Sequence, residues 1–132
     1  MRNPPVIYLL VGLGSGLGAS LRLLLSVFLH QPDALWPWAT LLVNLLGSAL
    51  IGFYATMVGT NGRWQASEPL KQFVLAGFCG GFTTFSVFSL EGLQLLLAGH
   101  GHLAVLYVLI SLLAWLLAVW FGSRLAQPNQ FS

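Results

Sequence analysis

Gly77-Phe78-Cys79-Gly80-Gly81-Phe82-Thr83-Thr84-Phe85-Ser86-Val87-Phe88-Ser89 is the stretch that decides the fold. It lies inside a longer apolar run, Phe73–Ala98, and a spanning helix needs roughly 20 apolar residues. Two adjacent glycines and two β-branched threonines weaken a helix at one point. Counted from Phe73 at about 1.5 Å per residue, Gly80 to Thr84 fall about 10–17 Å into a bilayer, near its middle. The pattern predicts a membrane helix broken near its middle. Such a break frees backbone N–H and carbonyl groups and is tolerated only where protein or an aqueous cavity covers it. Broken helices recur as ion-binding devices. The competing reading is a glycine-rich packing surface with the threonine hydroxyls bonded back to their own helix.

Three more apolar runs surround this one: Val6–Leu29, Trp38–Val58 and Leu103–Leu125. Apolar residues make up 57% of the 132 and charged residues 6%, against roughly 25% charged in a soluble domain. A soluble fold and a disordered chain are both excluded on that ground. The expected architecture is an all-α membrane protein, one domain over 1–132 with four transmembrane helices. The net charge of +2 rests on too few residues to suggest a nucleic-acid partner. The single cysteine, Cys79, excludes an internal disulfide and a cysteine-based zinc site. The opening Met1-Arg2-Asn3-Pro4-Pro5 is like a signal-peptide start, but the apolar run that follows is long enough to span, so an uncleaved helix is expected.

Polar connections separate the runs: His30-Gln31-Pro32-Asp33, then Gly59–Gln72, then Gly99-His100-Gly101-His102. Trp36, Trp38, Trp64 and Trp120 fall near the ends, as interfacial aromatics do. Four crossings return the chain to its starting side. Arg2, Arg63, Lys71 and Arg124 sit on that side, and only Arg22 lies towards the other. The positive-inside rule makes the first side cytoplasmic.

The first span carries Gly12, Gly14, Gly16 and Gly18, two overlapping Gly-x-x-x-Gly pairs suited to close helix approach. The same stretch imitates a dinucleotide-binding pattern, but it lacks the strand that motif needs. Asn44, in the second span, must find partners in lipid. It serves either an interhelical hydrogen bond or an anion that needs donors in place of water. Thr40 lies one turn earlier on the same face. Phe85 and Phe88, three apart, are expected on one face with Glu91 three further on. The phenylalanines serve either as core or as weakly positive ring edges facing an anion, with Ser86 and Ser89 beside them.

Arg22 and Glu91 are the only charges inside the spans, and intramembrane charges are usually paired or functional. Similar depth suggests a shared water-filled mouth, with the two pairing, with Arg22 drawing in anions, or with both serving only stability. His30, His100 and His102 lie in connections without a carboxylate cluster, so no metal site is expected of them. No nucleophile–base arrangement is present, and an enzyme is not expected.

The run Gly77–Ser89 resembles the signature of the Fluc (CrcB-type) fluoride channels. So do Gly18-Ala19-Ser20-Leu21-Arg22 and Trp36-Pro37-Trp38-Ala39-Thr40-Leu41-Leu42-Val43-Asn44-Leu45-Leu46-Gly47-Ser48. The order and spacing match along nearly the whole chain. The resemblance implies a passive fluoride exporter of the bacterial inner membrane conferring fluoride resistance. It implies an antiparallel, dual-topology homodimer with two pores along the subunit interface. The pore asparagine maps onto Asn44 and the pore phenylalanines onto Phe85 and Phe88. Polar pathway positions map onto Ser86, Tyr107 and Ser111, and Thr40 and Glu91 match positions near the pathway. A central structural Na⁺ would be held by the backbone carbonyls of Gly80 and Thr83 from both subunits. Position 87 is Val where members often carry a hydroxyl residue. The excess of basic residues on one side leaves open a partner chain of opposite orientation.

Three other classes remain. A small multidrug-type antiporter needs a carboxylate in its first span, and this span has only Arg22. A fluoride–proton exchanger would use Glu91 as proton carrier. A non-transporting membrane subunit would use the glycines, Asn44 and the phenylalanines only to pack helices.

Overall fold

The computed structural model describes residues 4–127. Arg2, counted among the basic residues of the starting side, lies outside the described residues. Four segments are long and apolar enough to cross a membrane: Pro4–Phe28, Trp38–Met57, Glu68–Leu97 and Gly101–Ala126. The first two are α1 (Pro4–Phe28) and α2 (Trp38–Met57). The third is composite. It runs through α3 (Glu68–Gln72), a π-helical stretch Phe73–Cys79, α4 (Gly80–Phe82), a non-helical link at Thr83–Phe85, and α5 (Ser86–Leu97). The fourth is α6 (Gly101–Ala126).

The third span begins at Glu68, ahead of the apolar run that suggested Phe73. Pro69 starts this helix, because the first turn has no intrahelical use for its missing N–H. Ser67 precedes the helix in extended conformation, with Glu68 in the first turn and Lys71 in the last, the favourable order for the helix dipole. At the other end Gly99 adopts φ +81°, the left-handed conformation glycine takes without steric cost. It turns the chain directly into α6.

Glycine decides which helices meet. Cβ atoms placed on Gly14 and Gly18 of α1 would strike the carbonyls of Phe73 and Phe78, and one on Gly81 would strike that of Ser15. These backbones therefore touch, and α1 lies along the π-helical stretch and α4. Gly52 of α2 meets the Val119 carbonyl and Gly122 of α6 meets that of Ala49, which locks α2 to α6. Of the two Gly-x-x-x-Gly pairs, only Gly14/Gly18 is in close contact among the described residues. Gly12 and Gly16 have nothing within 4 Å.

The break changes the third span's partner. Before it the span packs on α1; after it α5 packs on α6. Leu41, Phe88, Leu95, Ala104 and Tyr107 form the core there, with Trp36, Leu103, Ala114 and Trp115 against it. Large apolar side chains such as Leu13, Leu17, Leu113 and Leu117 point outward, as they do in a protein whose surroundings are themselves apolar.

Candidate functional site

At the link Thr83–Phe85 the Thr83 N–H still bonds the Cys79 carbonyl and the Phe85 carbonyl still accepts from Ser89, but the backbone of Thr84 between them must be satisfied in another way. Asn44 does most of this. Its Nδ2 donates to the Thr84 carbonyl at 2.8 Å, and its Oδ1 accepts from the Thr84 N–H at 2.7 Å. Both residues are buried. The interhelical role that the sequence left open for Asn44 is thus filled. One N–H of its amide is left for another acceptor.

The clasp has a consequence for two carbonyls. In an unbroken helix the Thr84 N–H would bond the Gly80 carbonyl and the Val87 N–H the Thr83 carbonyl. Thr84 N–H goes to Asn44 instead, and Val87 N–H goes to Thr84 Oγ1 at 3.2 Å. The carbonyls of Gly80 and Thr83 are both released. The Thr83 hydroxyl bonds back to the Cys79 carbonyl at 2.9 Å, as the packing alternative supposed. The site therefore combines a helix break with one back-bonded threonine. Gly80 is exposed, with open space where a Cβ would stand. Arg22 Nη1 donates to the Thr83 carbonyl at 3.4 Å, a long contact that leaves its second lone pair free. Two uncharged oxygens freed of helical hydrogen bonds suit a hard cation in kind. One chain supplies only two of the six or so ligands such ions take.

Phe85 and Phe88 have adjacent rings, centroids 5.5 Å apart. Their surroundings differ sharply: Phe88 is 4% exposed and Phe85 70%. Phe85 is the N-cap of α5, in right-handed helical conformation, and its carbonyl accepts from the Ser89 N–H, so helical spacing brings the two rings together while only Phe88 is covered. Phe88 packs against Tyr107 and Trp115, at 5.1 and 4.8 Å. Ser86 is exposed, its Oγ 3.3 Å from Thr84 Oγ1. Val87, the position that departs from the family pattern, uses its backbone N–H in the Thr84 cap.

Glu91 lies at the centre of a second polar group. Thr40 Oγ1 donates to its Oε1 at 2.8 Å, and Tyr107 Oη donates to its Oε2 at 2.7 Å. Both oxygens of the carboxylate are thereby stabilised inside the membrane. Thr40 and Asn44, one turn apart on α2, therefore hold the two halves of the third span: Thr40 binds α5 and Asn44 the link.

The expected meeting of Arg22 and Glu91 is not found within the chain, and among the described residues neither forms an ion pair with the other. Arg22 lines a groove of about 510 Å³ with Ser20, Ser26, Thr40, Thr84 and Val87. Glu91 lines a different cavity of about 400 Å³ with His30, Trp36, Trp38, Gln94 and His100. Thr40 stands between them, facing the first and bonding to Glu91. The two charges therefore face separate cavities.

Sequence reasoning missed three participants. Thr84 is the backbone partner of Asn44, and only its place beside two glycines hinted at this. Trp36 packs edge-on against Tyr107, centroids 5.6 Å apart. Trp115 does the same to Phe88. A tryptophan in an apolar span gives no sequence signal that separates these contacts from lipid exposure.

Residues 9–123 match the family model described as "CrcB-like protein, Camphor Resistance (CrcB)". The chain is 46% identical over 127 residues to the "Fluoride-specific ion channel FluC 1" of Rhodopseudomonas palustris (strain BisB18), covering 96% of this chain and 90% of that protein. It is 44% identical to the protein of that same description from Bradyrhizobium diazoefficiens, covering 92% and 84%. It is 46% identical to the "Fluoride-specific ion channel FluC" of Paramagnetospirillum magneticum, covering 87% and 91%.

Proposed function

Because the chain belongs to the CrcB-like family, we propose that it is a fluoride-selective channel that lets cytoplasmic fluoride leave the cell passively across the bacterial inner membrane. The observation that carries this reading is the Asn44 clasp on the broken third span, next to a bare face bearing Phe85. Fluoride holds its water strongly, so a path must replace that water without trapping the ion. The remaining Asn44 N–H and the Ser86 hydroxyl are neutral donors of moderate strength. The ring edges of Phe85 and Phe88 add a weakly positive wall. Glu91 anchors Thr40 and Tyr107, and Ser111 lies one turn beyond Tyr107 on α6. Arg22 draws anions into the vestibule beside the break.

One chain leaves Phe85 uncovered, so the path is completed by a second copy. The reading includes an antiparallel homodimer with two pores at its interface. A twofold axis in the membrane plane would bring two breaks together, and four released carbonyls, Gly80 and Thr83 from each chain, would hold Na⁺. When bound, that ion raises the potential felt by a nearby anion. The chain's own contribution is to hold its carbonyls free of helical hydrogen bonds through Asn44 and Thr84.

The test is fluoride release from liposomes carrying the purified protein, with and without an imposed proton gradient. The channel reading predicts fast release that ignores the gradient. Release that tracks the gradient would point instead to coupled exchange with Glu91 as proton carrier. Tags at both termini test the arrangement: an antiparallel homodimer places each terminus on both sides of the membrane.

A further inference from the structure

Among the described residues, the charge of Glu91 is answered by no lysine or arginine. Arg22 faces the other cavity, and no basic chain of either kind lines the cavity of Glu91. An ionised group inside a span is usually paired or functional. Thr40 and Tyr107 donate one hydrogen bond to each carboxylate oxygen. A carboxylate oxygen has about two lone-pair sites, so each keeps room for one more donor.

The cavity can admit that donor from outside. It holds about 400 Å³, within the range of small-molecule sites. Glu91 is half-buried at its wall. Trp36 and Trp38 line it as well, with ring centroids 6.0 Å apart and planes inclined at 46°. Trp36 is held edge-on against Tyr107, while Trp38 stays 48% exposed. Gln94, His30 and His100 complete the polar rim.

This set of groups selects among ligands. A carboxylate without a basic neighbour favours a cation over an anion. Indole rings attract cations more strongly than other aromatic rings do, which favours an organic ammonium over a strongly hydrated metal ion. Among the described residues no three His, Cys, Asp or Glu are grouped to hold a metal. The open lone pairs of Glu91 call for N–H donors, and a charged donor makes the stronger bond.

We infer that this cavity binds a primary ammonium group, with Glu91 as its counter-charge and the rings of Trp36 and Trp38 as its walls. Two sources carry that chemistry, a free alkylammonium in water and the ethanolamine headgroup of a phospholipid. Both can reach the cavity, because His30, Gln31, Pro32 and His100 of the connections form its outer part. The site does not depend on fluoride conduction.

The test follows the indole N–H resonances of full-length ¹⁵N-tryptophan protein in nanodiscs of phosphatidylglycerol, a lipid without an amine. Ethylammonium chloride is added, beside equal sodium chloride and equal ethanol. The chain has five tryptophans, and Trp36→Phe and Trp38→Phe assign two of the resonances by loss. The expected result is a saturable shift of both with ethylammonium, none with sodium chloride or ethanol, and at least tenfold weaker binding in Glu91→Gln. A second arm replaces part of the lipid with phosphatidylethanolamine and adds no amine. Shifts in the first arm show that the site takes a free cation. Shifts in the second arm alone, absent from Glu91→Gln in the same lipid, assign it to the headgroup. Should Glu91→Gln fail to fold, Trp38→Leu keeps the carboxylate, removes an exposed ring and should weaken binding several-fold. Resonances that stay fixed in both arms, or that shift as much with sodium chloride or in Glu91→Gln, would overturn the site. Fixed resonances in a protein that passes fluoride would do so and leave the channel reading standing.

Discussion

The two halves of the third span solve the same packing problem by opposite means. From Glu68 to Phe82 the span meets α1 through backbone, with Gly14, Gly18 and Gly81 removing the side chains that would hold the helices apart. From Ser86 to Leu97 it meets α6 through large side chains, Phe88 and Leu95 against Ala104 and Tyr107, with Glu91 bonded to Tyr107 and Thr40. The first half gives the site only the Gly80 carbonyl and is stiff because its contacts leave no slack. The second half carries the polar and aromatic groups. The link between them is the one place where backbone groups change owner. The contrast separates scaffold from site along a single span.

The largest effect should come from breaking the stiff half. In Gly18→Val the added carbons collide with the Phe78 carbonyl, and backbone cannot step aside as a side chain can. Loss of folded protein is expected, read as absence of a single peak in size-exclusion chromatography. Recovery of a stable protein at wild-type yield would show that the two halves do not differ in kind.

Asn44→Ala attacks the link. It strands the N–H and carbonyl of Thr84, each costing about 1–3 kcal/mol when buried without a partner. Thermal unfolding in detergent should register that loss, and fluoride flux should drop at least a hundredfold. Unchanged stability would mean that the clasp is not what holds the break.

Tyr107→Phe touches the side-chain half more gently. It leaves Glu91 Oε2 without the Tyr107 hydroxyl, a loss of about 1–3 kcal/mol, and keeps the ring against Phe88. A stability loss in that range with the core intact is expected. A loss as large as that of Asn44→Ala would place the carboxylate group, and not the link, at the centre of the fold.

The smallest effect sharpens the comparison. Gly16→Ala lies two residues from Gly18 but faces open space. It should be neutral or gain up to about 1 kcal/mol of helix propensity in detergent-solubilised protein. A collapse like that of Gly18→Val would show that the outer glycine face is also in close contact.

Much of this organisation was legible in sequence. Composition and run length gave four membrane-spanning helices, and Gly80-Gly81 with Thr83-Thr84 located the break. Three features were not legible, each for a physical reason. Glu68–Gln72 fell within the connection Gly59–Gln72, because sequence does not distinguish a proline that ends a connection from one that begins a helix. Helical spacing put Phe85 and Phe88 side by side, but it does not tell which of the two rings the rest of the chain covers. Arg22 and Glu91 were matched by counting depth along their spans, which does not tell which cavity a residue faces. The role of Asn44 was narrowed to two alternatives. Choosing between them required knowing that Thr84, forty residues away, loses its helical partner.

The central claim is that the Asn44-clasped break organises a fluoride-selective path. The most direct measurement is the initial rate of fluoride release from liposomes by wild-type and Asn44→Ala protein at equal folded amounts, beside chloride. The account predicts rapid fluoride release by the wild type, retention of chloride, and release by Asn44→Ala near that of protein-free liposomes. Equal release by the two proteins, or chloride leaving as fast as fluoride, would contradict it.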